Sequence, residues 1–188
     1  LVTSRLPTSL GEFSMSAYGE EDDLFPHVVL YAPVPDGVVP LARIHSECMT
    51  GDMFHSTRCE CGEQLDRSLE EIGKKGGVLI YLRQEGRGIG LVEKLKAYNL
   101  QDEGLNTIEA NEALGHQSDS RSYEVAASIL KDLKIPVIRL MTNNPLKVKA
   151  LEAFGIEVKE RVPLVIEARP ENAGYLEVKR AVMGHYLG

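Results

Sequence analysis

The sequence has few cysteines, few aromatic residues and no tryptophan. Its 188 residues include three cysteines, and aromatic residues make up 6% of the chain. So few cysteines cannot form a disulfide framework, and a chain of this length can bury a core without one. No apolar run approaches the ~20 residues that a membrane-crossing helix needs. We therefore expect a globular protein without a membrane partner.

The chain also lacks an excess of basic residues. Its formal net charge is -7, whereas a dedicated nucleic-acid binder is usually basic, so we expect no nucleic-acid partner. A local basic pocket could still bind a small anion, and five arginines lie in unusual contexts: Arg43, Arg58, Arg83, Arg87 and Arg121. The sequence shows no basic segment followed by an apolar stretch, as a signal peptide would, and its thiols suit a reducing compartment. We expect a cytoplasmic protein.

The three cysteines, Cys48, Cys59 and Cys61, fall within fourteen positions. A strain-free disulfide between Cys59 and Cys61 is implausible because one residue separates them. Three thiolates suit a soft divalent metal, above all zinc, and three protein ligands leave one position open for water, as in catalytic zinc sites. A fourth ligand from His45 or His55 would instead make the site structural. The alternative without a metal is three ordinary buried cysteines.

Apolar periodicity predicts an α/β fold in a single domain over residues 1–188. The first forty residues favour strands and turns, with strands at 13–18, 28–31 and 38–44, and the cysteine cluster follows on a loop carrying Gly51 and Asp52. After Gly62, strands alternate with helices, which is typical of a layered, largely parallel or mixed sheet with flanking helices and an N-terminal antiparallel region. The first elements predicted after Gly62 are a helix with Leu65, Leu69 and Ile72 on one face, a strand at 78–82 buried on both faces, a glycine-rich loop at 84–90 and a helix at 91–100. An irregular connection at 101–119 leads to a helix at 123–133, capped by Asp119 or Ser120, and to a strand at 136–140. The last predicted elements are a helix from Pro145, one or two strands within 156–166 and a terminal helix at 175–186.

Two predicted strand-to-helix junctions carry groups that suit an anion. The loop from Gln84 to Gly90 lets backbone N–H groups approach a ligand, and the following helix N-terminus favours negative charge. Thr142 to Pro145, with Lys147, places a hydroxyl, amides and a cation at another helix start. Both junctions follow the carboxyl end of a strand, where open α/β sheets bind ligands. Ordinary turns and helix caps would explain the same residues without a ligand.

Taken together, four segments resemble the GTP cyclohydrolase II family, whose members open the imidazole ring of GTP at the start of riboflavin synthesis. The resemblance covers essentially the whole chain, from Arg5-Leu6-Pro7-Thr8 to Met183-Gly184-His185. The segments occur in the family's order: Arg43-Ile-His-Ser-Glu-Cys48, Arg58-Cys-Glu-Cys-Gly62, Arg83-Gln-Glu-Gly-Arg87 and Thr142-Asn-Asn-Pro145.

The resemblance implies a role for many individual residues. It makes Cys48, Cys59 and Cys61 the ligands of one Zn²⁺ with water in the fourth place, Asp119 the proton acceptor, Arg121 the nucleophile and Tyr98 a further catalytic residue. It places the following residues at the GTP site: Arg43, Ile44, His45, Ser46, Glu47, Gln64, Glu85, Gly86, Arg87, Thr107, Thr142 and Lys147.

The resemblance also implies a reaction and partners. The family requires Mg²⁺ with the triphosphate and releases formate and pyrophosphate, giving 2,5-diamino-6-(5-phosphoribosylamino)pyrimidin-4(3H)-one. We expect a homodimer, and either a stand-alone enzyme or a domain excised from a fusion with dihydroxybutanone phosphate synthase.

Several questions stay open from the sequence. A protonated guanidinium has no free lone pair, so Arg121 could stabilise charge on the α-phosphoryl group rather than attack it. Glu47 and Glu85 are both candidates to read the guanine edge. A zinc-dependent nucleobase deaminase is an alternative, but its His-x-Glu and Pro-Cys-x-x-Cys signature is not matched by Cys59-x-Cys61. A non-catalytic zinc module with four protein ligands is a third class.

Overall fold

We describe the fold from a computed structural model, which describes residues 2–116 and 121–166. Three expectations from the sequence lie outside these residues: the terminal helix at 175–186, the closing Met183-Gly184-His185 segment, and the position of Asp119. In the described residues, no helix combines the length and the apolar character needed to cross a bilayer.

The described residues form a mixed sheet in the order β1-β2-β3-β5-β4-β6-β7. The pairs β1/β2, β2/β3 and β3/β5 are antiparallel, whereas β5/β4, β4/β6 and β6/β7 are parallel. The predicted α/β class with an N-terminal antiparallel region is therefore confirmed. The strands are β1 (Thr3–Thr8), β2 (Gly11–Tyr18), β3 (His27–Ala32), β4 (Leu41–Ser46), β5 (Gly77–Leu82), β6 (Val137–Met141) and β7 (Glu157–Val162).

Helices cover both faces of the sheet, so its central strands are buried on both sides. On one face, Val78 and Ile80 of β5 pack in a cluster with α5 and α6 residues such as Leu130 and Leu151. On the other, Leu79 packs with Ile72 of α2. This explains the unbroken apolar run of β5, as predicted. The helices are α1 (Met49–Asp52), α2 (Cys61–Lys75), α3 (Leu91–Asp102), α4 (Thr107–Ala113), α5 (Glu124–Asp132) and α6 (Pro145–Ala153).

Local signals fix the ends of the predicted helices. Helix α2 ends at Gly76, which has a φ of +79° and donates its N–H to Ile72 O. A Cβ on Gly76 would lie 2.3 Å from Pro33 O, so only glycine fits this close approach. Helix α6 begins with Pro145 at its first position, and Asn144 accepts the N–H of Leu146.

The structure corrects three local expectations. The stretch at 101–119 is not wholly irregular, because Asn106 and Glu109 form a reciprocal capping box that starts helix α4. The N-cap of α5 is Tyr123, not Asp119 or Ser120. The segment after Cys48 forms the helical turn α1 rather than a loop. The stretch at 156–166 holds one strand, β7, which agrees with the expectation of one or two strands.

The order of the strands creates a crevice between β4 and β6. The chain leaves β4 through α2 toward β5 on one side of it, and leaves β6 through α6 toward β7 on the other. Neighbouring parallel strands whose connections diverge in this way leave a gap beyond their carboxyl ends, where ligands of open α/β sheets bind. The carboxyl ends of β4 and β6 carry Ser46 and Met141.

Candidate active site

A large pocket opens at this crevice and brings together most of the residues singled out in the sequence. From those predictions it contains Arg43, His45, Ser46, Glu47, Cys48, Cys59, Cys61, Gln64, Glu85, Gly86, Arg87, Tyr98, Thr107, Arg121, Thr142 and Lys147. The side chain of Ile44 instead lies in the apolar core. Asp119 lies outside the described residues. The pocket also contains other members of the segments singled out in the sequence: Arg58, Glu60, Ile89, Asn143 and Asn144. Its remaining lining residues lie outside those segments: Lys94, Ala97, Gln101 and Asn111.

The three cysteines converge at one end of the pocket. Cys48 precedes α1, while Cys59 and Cys61 lie at the start of α2. Their sulfur atoms lie within 4.8 Å of one another, and Cys48 Sγ is 3.7 Å from Cys59 Sγ. A tetrahedral zinc site with Zn–S bonds of about 2.3 Å has S–S edges of about 3.8 Å. The spacing therefore fits a metal centre, and all three thiols are free of disulfides.

Close glycine packing allows this convergence. A Cβ on Gly51 would lie 2.8 Å from Cys59 Sγ and 3.3 Å from Cys48 Sγ. A Cβ on Gly62 would lie 2.4 Å from Gly51 O, so α1 and α2 touch through bare backbone. The glycines around the cysteines thus leave room for the three sulfur atoms to lie close together.

Neither histidine suggested as a fourth ligand joins this group in the described part of the chain. His45 directs Nε2 to the carboxylate of Asp52, at 3.0 Å and 3.1 Å. Because a carboxylate only accepts, Nε2 carries the hydrogen. Burial lowers the pKa of His45 below its ordinary value, against the opposing effect of Asp52.

Asp52 supports the loop that carries Cys48. Besides His45, its carboxylate accepts the backbone N–H of Cys48 at 2.9 Å and the hydroxyl of Tyr81 at 2.8 Å. Burial and the nearby Asp52 raise the pKa of Tyr81, so its hydroxyl stays protonated and donates. Three donors from β4, β5 and the cysteine loop therefore meet at one buried carboxylate.

Lys94 of α3 reaches the sulfur of Cys48. Its Nζ donates to Cys48 Sγ at 3.1 Å and to Glu85 Oε1 at 2.8 Å. Burial alone would lower the pKa of Lys94, but the nearby Cys48 thiolate and the hydrogen bond to Glu85 raise it, so the ammonium persists. Glu85 also accepts the backbone N–H groups of Met49 at 2.6 Å and Gly86 at 2.8 Å.

The thiols differ in acidity. Hydrogen bonds from Cys59 and Cys61 lower the pKa of Cys48, and the charge of Lys94 lowers it further. The hydrogen bond to Cys48 raises the pKa of Cys59 to about 11, and the pKa of Cys61 rises for the same reason. The ammonium of Lys94, within hydrogen-bond distance of Cys48 Sγ, therefore favours the thiolate form of Cys48.

Basic side chains dominate the rest of the pocket. The lining contains six basic side chains and three carboxylates, although the whole chain is acidic. Arg43 donates to Met141 O at 3.1 Å and to Gln64 Oε1 at 2.8 Å, and burial lowers its pKa to about 10, which leaves it charged at neutral pH. Lys147 donates to Ile44 O at 2.8 Å and lies over the ring of Tyr123. Such a pocket favours a polyanionic ligand.

The predicted glycine-rich loop is a short 3-10 turn with unusual backbone geometry. Gly86 and Arg87 both have a φ near +60°, at 62° and 61°. A left-handed arginine is uncommon and costs conformational energy, and such residues cluster at functional sites. The turn directs Arg87 into the pocket lining.

The segment from Thr142 to Asn144 serves the fold as well as the pocket. The hydroxyl of Thr142 accepts the N–H of Asn144 at 3.1 Å. Asn143 exchanges two hydrogen bonds with the backbone of Leu164, at 2.7 Å and 3.0 Å. Asn144 therefore caps helix α6, and Asn143 holds the backbone of Leu164 in place. Both roles agree with the alternative, given in the sequence analysis, that these residues form ordinary turns and helix caps.

Tyr98 lies against the metal-binding end of the pocket. Its hydroxyl is 3.2 Å from Thr50 Oγ1, and Thr50 Oγ1 is 3.7 Å from Cys48 Sγ. The guanidinium of Arg58 lies over the ring of Tyr98 at 4.8 Å and pairs with Asp102 through two 2.7 Å hydrogen bonds. Burial raises the pKa of Tyr98, which keeps the phenol protonated.

Sequence reasoning missed Lys94 and the supporting role of Asp52. Lys94 lies four residues before Tyr98 on the same helix, so the two share a face, and this spacing could have placed Lys94 in the site. Asp52 offered no comparable signal, because its three donors come from distant segments of the chain.

Three cysteines with the spacing of a metal site lie beside a cationic pocket at the crevice of a mixed α/β sheet. These features define the class: an α/β protein whose pocket joins a candidate metal site to a cluster of basic side chains. The family model of GTP cyclohydrolase II matches residues 1–163, and the chain belongs to this family.

Individual relatives agree with this assignment. The chain is 51% identical to a GTP cyclohydrolase-2 of Azotobacter vinelandii, over 100% of this chain and 91% of that one. It is 53% identical to the riboflavin biosynthesis protein RibBA of Chlorobium phaeovibrioides, over 99% of this chain and 46% of the relative, so it spans about half the length of that protein. Among solved structures, RibBX of A. baumannii, a two domain 3,4-dihydroxy-2-butanone 4-phosphate synthase, has a TM-score of 0.49 and 21% identity over 86% of this chain and 39% of that one.

Proposed function

We propose that this chain hydrolyses GTP as the first step of riboflavin biosynthesis. The reaction opens the imidazole ring at C8 and releases formate and pyrophosphate, leaving 2,5-diamino-6-(5-phosphoribosylamino)pyrimidin-4(3H)-one. One observation carries the proposal: a group of three cysteines and six basic side chains share one pocket. The first suits a metal ion near the base, and the second suits a triphosphate.

The residues at the metal end divide into ligands and supports. Cys48, Cys59 and Cys61 would hold zinc, which supplies Lewis acidity for hydrolysis when bound. Tyr98 keeps its phenol proton, because burial raises its pKa, and in this proposal it donates a hydrogen bond to the reacting substrate. Asp119 remains our proposed proton acceptor.

The cationic part of the pocket would bind the triphosphate as its Mg²⁺ complex. Arg43, Arg87 and Lys147 would offset the charge that develops on the departing pyrophosphate. Arg121 lies in the same lining. A protonated guanidinium lacks a free lone pair, so we assign charge stabilisation to Arg121 rather than attack on phosphorus. A covalent nucleotide trapped on Arg121 would contradict this assignment.

The geometry favours Glu47 over Glu85 for reading the guanine edge. Both oxygens of Glu85 already accept hydrogen bonds, from Met49, Gly86 and Lys94. Glu47 forms an ion pair with Arg83 at 2.9 Å, and burial raises its pKa. Glu47 therefore has more accepting capacity for N1–H and the 2-amino group.

Replacing Glu47 tests this choice. Glu47→Gln should lower kcat/KM for GTP by about 10²-fold or more, because a site that pairs with a specific edge loses strongly when the pairing fails. The loss should be smaller for ITP, which lacks the 2-amino group. Equal losses for the two nucleotides would show that Glu47 does not contact that group.

The proposed reaction is tested by incubating the full chain with GTP, Zn²⁺ and Mg²⁺ and measuring formate, pyrophosphate and the ultraviolet spectrum of the product. Cys59→Ser should abolish formate release, whereas Lys149→Gln, on α6 outside the pocket lining, should leave it unchanged. Ammonia in place of formate would identify a deaminase and overturn the proposal. Full formate release by Cys59→Ser would overturn the zinc assignment.

The remaining expectations concern the setting of the protein. We propose a cytoplasmic location, because metal binding requires the three free thiols to stay reduced. We also propose a homodimer. The length of the RibBA relatives leaves room for a further domain, which supports a possible pairing with dihydroxybutanone phosphate synthase.

A further inference from the structure

We propose that Lys94 and Glu85 form a positioning pair for the metal centre. In this proposal Lys94 donates to the Cys48 sulfur and offsets the negative charge of the three thiolates, while Glu85 holds the ammonium in place. The inference rests on the proposed metal centre and assigns two residues that tune it. Neither residue is a metal ligand, since the metal-binding group of the described chain consists of the three cysteines.

The contacts form a short chain that is largely shielded from water. Lys94 Nζ lies 3.1 Å from Cys48 Sγ and 2.8 Å from Glu85 Oε1. The side chains of Lys94 and Glu85 are 11% and 10% exposed. At this exposure, water screens the charges weakly, so the ammonium acts strongly on the sulfur.

In this proposal, the pair compensates the negative charge of the metal centre. Three thiolates around a divalent cation carry one net negative charge, which weakens the capacity of the ion to attract electrons from a substrate. A charge-assisted N–H···S hydrogen bond withdraws electron density from one thiolate and compensates that excess. The structure places the ammonium of Lys94 within hydrogen-bond distance of one of the three cysteine sulfurs.

Glu85 has a positioning role in this arrangement. Its Oε2 accepts the N–H of Met49, the residue after Cys48, and its Oε1 accepts the N–H of Gly86. The carboxylate thus links the glycine-rich turn, the start of α1 and Lys94. Partners of metal ligands commonly contribute 10- to 100-fold in metal affinity, and we expect effects of that size here.

The first test measures Zn²⁺ affinity of the full chain by competition with a chromophoric chelator. Lys94→Met keeps the length of the side chain without its charge, and we expect about 10- to 100-fold weaker binding. Lys96→Met is the matched control, because Lys96 lies on the same helix and pairs with Glu93 at 2.7 Å. Wild-type affinity in Lys94→Met, with circular dichroism unchanged, would overturn the proposal.

A double variant protects the test against misfolding. Lys94→Met alone leaves the Glu85 carboxylate without its cation, whereas Lys94→Met with Glu85→Gln leaves no unpaired charge. Because Glu85 acts partly through Lys94, the loss of Zn²⁺ affinity in the double variant should be smaller than the sum of the losses in Lys94→Met and Glu85→Gln. Fully additive losses would contradict a shared role.

A spectroscopic readout separates tuning from a merely structural role. With Co²⁺ in place of Zn²⁺, the thiolate-to-metal charge-transfer bands should shift in Lys94→Met, and Lys94→Arg should restore both the bands and the affinity in part. Equal spectra in wild type and Lys94→Met would overturn the tuning role. Failure of the wild-type chain to release formate, with these metal effects intact, would instead count against the proposed reaction.

Discussion

At the residue scale, Asp52 shows how a buried side chain can organise the proposed metal site from outside the group of three cysteines. Its carboxylate accepts from His45, Cys48 and Tyr81, which belong to three separate segments. All three partners are donors, so the arrangement requires a group that only accepts. Asp52 therefore holds the backbone of Cys48 in position through a hydrogen bond.

Asp52→Asn tests this role with a minimal change. The amide nitrogen would face a donor, so we expect about 10- to 100-fold weaker Zn²⁺ binding in the chelator competition. We also expect a loss of about 1–3 kcal/mol in the free energy of unfolding, from the buried donor left without an acceptor.

Asp132→Asn is the matched control for Asp52→Asn. Asp132 also accepts from a tyrosine, Tyr18, at 2.9 Å. With one donor to satisfy, the carbonyl oxygen of asparagine can replace the carboxylate oxygen, so metal affinity should stay at the wild-type value. If both variants lost metal affinity equally, the specific role of Asp52 would be wrong.

At the element scale, helix α4 carries Thr107 into the pocket and depends on its N-terminal cap. The side chain of Asn106 accepts the N–H groups of Ile108 and Glu109, at 2.9 Å and 3.1 Å. Asn106→Ala should lower the free energy of unfolding by about 1 kcal/mol, and Asn106→Gly by a few tenths, in chemical denaturation. Equal losses in the two variants would show that the cap is not what stabilises α4.

The contact between β3 and the loop after β5 predicts that the stability of the fold depends on pH. Nδ1 of His27 accepts the N–H of Arg83 at 3.0 Å, which requires the neutral ring. Burial lowers the pKa of His27, Arg83 lowers it further and Asp23 opposes the shift. The folded state therefore binds a proton at His27 less readily than the unfolded state does. The contribution of the neutral ring to the free energy of unfolding is complete above about pH 6.5, the pKa of histidine in the unfolded chain, and it decreases as the pH falls below that value.

Replacement of the histidine tests the sign of this effect. Thermal unfolding of the wild type should show stability decreasing between about pH 6.5 and pH 5. His27→Gln has no titrating ring, so its slope over the same window should be shallower. A slope as steep as that of the wild type would assign the pH dependence to other groups.

Elements with strong local signals could be predicted from the sequence, whereas those that depend on distant partners could not. The apolar run of β5 and the Pro145 start of α6 are local, and both predictions are confirmed. Helix α4 has only 7 residues and little apolar periodicity, so it was missed despite its Asn106-x-x-Glu109 capping pattern. The cysteine cluster was evident from spacing, but the approach of Lys94 to Cys48 joins positions 46 residues apart.

At the scale of the whole molecule, charge is distributed unevenly between pocket and surface. The chain carries a net charge of -7, while six basic side chains gather in one pocket at the carboxyl ends of the parallel strands. The acidic remainder discourages nonspecific binding to nucleic acid, and the pocket attracts a small polyanion. The fold creates this contrast, because it joins arginines and lysines from segments between residues 43 and 147.

This contrast predicts a salt dependence of catalysis. Raising the ionic strength from about 0.05 M to 0.5 M shortens the screening length severalfold, so KM for GTP should increase while kcat changes little. Arg87→Gln should raise KM at low salt and flatten its dependence on salt, because one basic side chain of the pocket is removed. Arg5→Gln is the control, since Arg5 pairs with Glu12 on an exposed strand. A KM that does not change with salt, or equal slopes in the two variants, would mean that the basic pocket does not recognise the triphosphate through its charge.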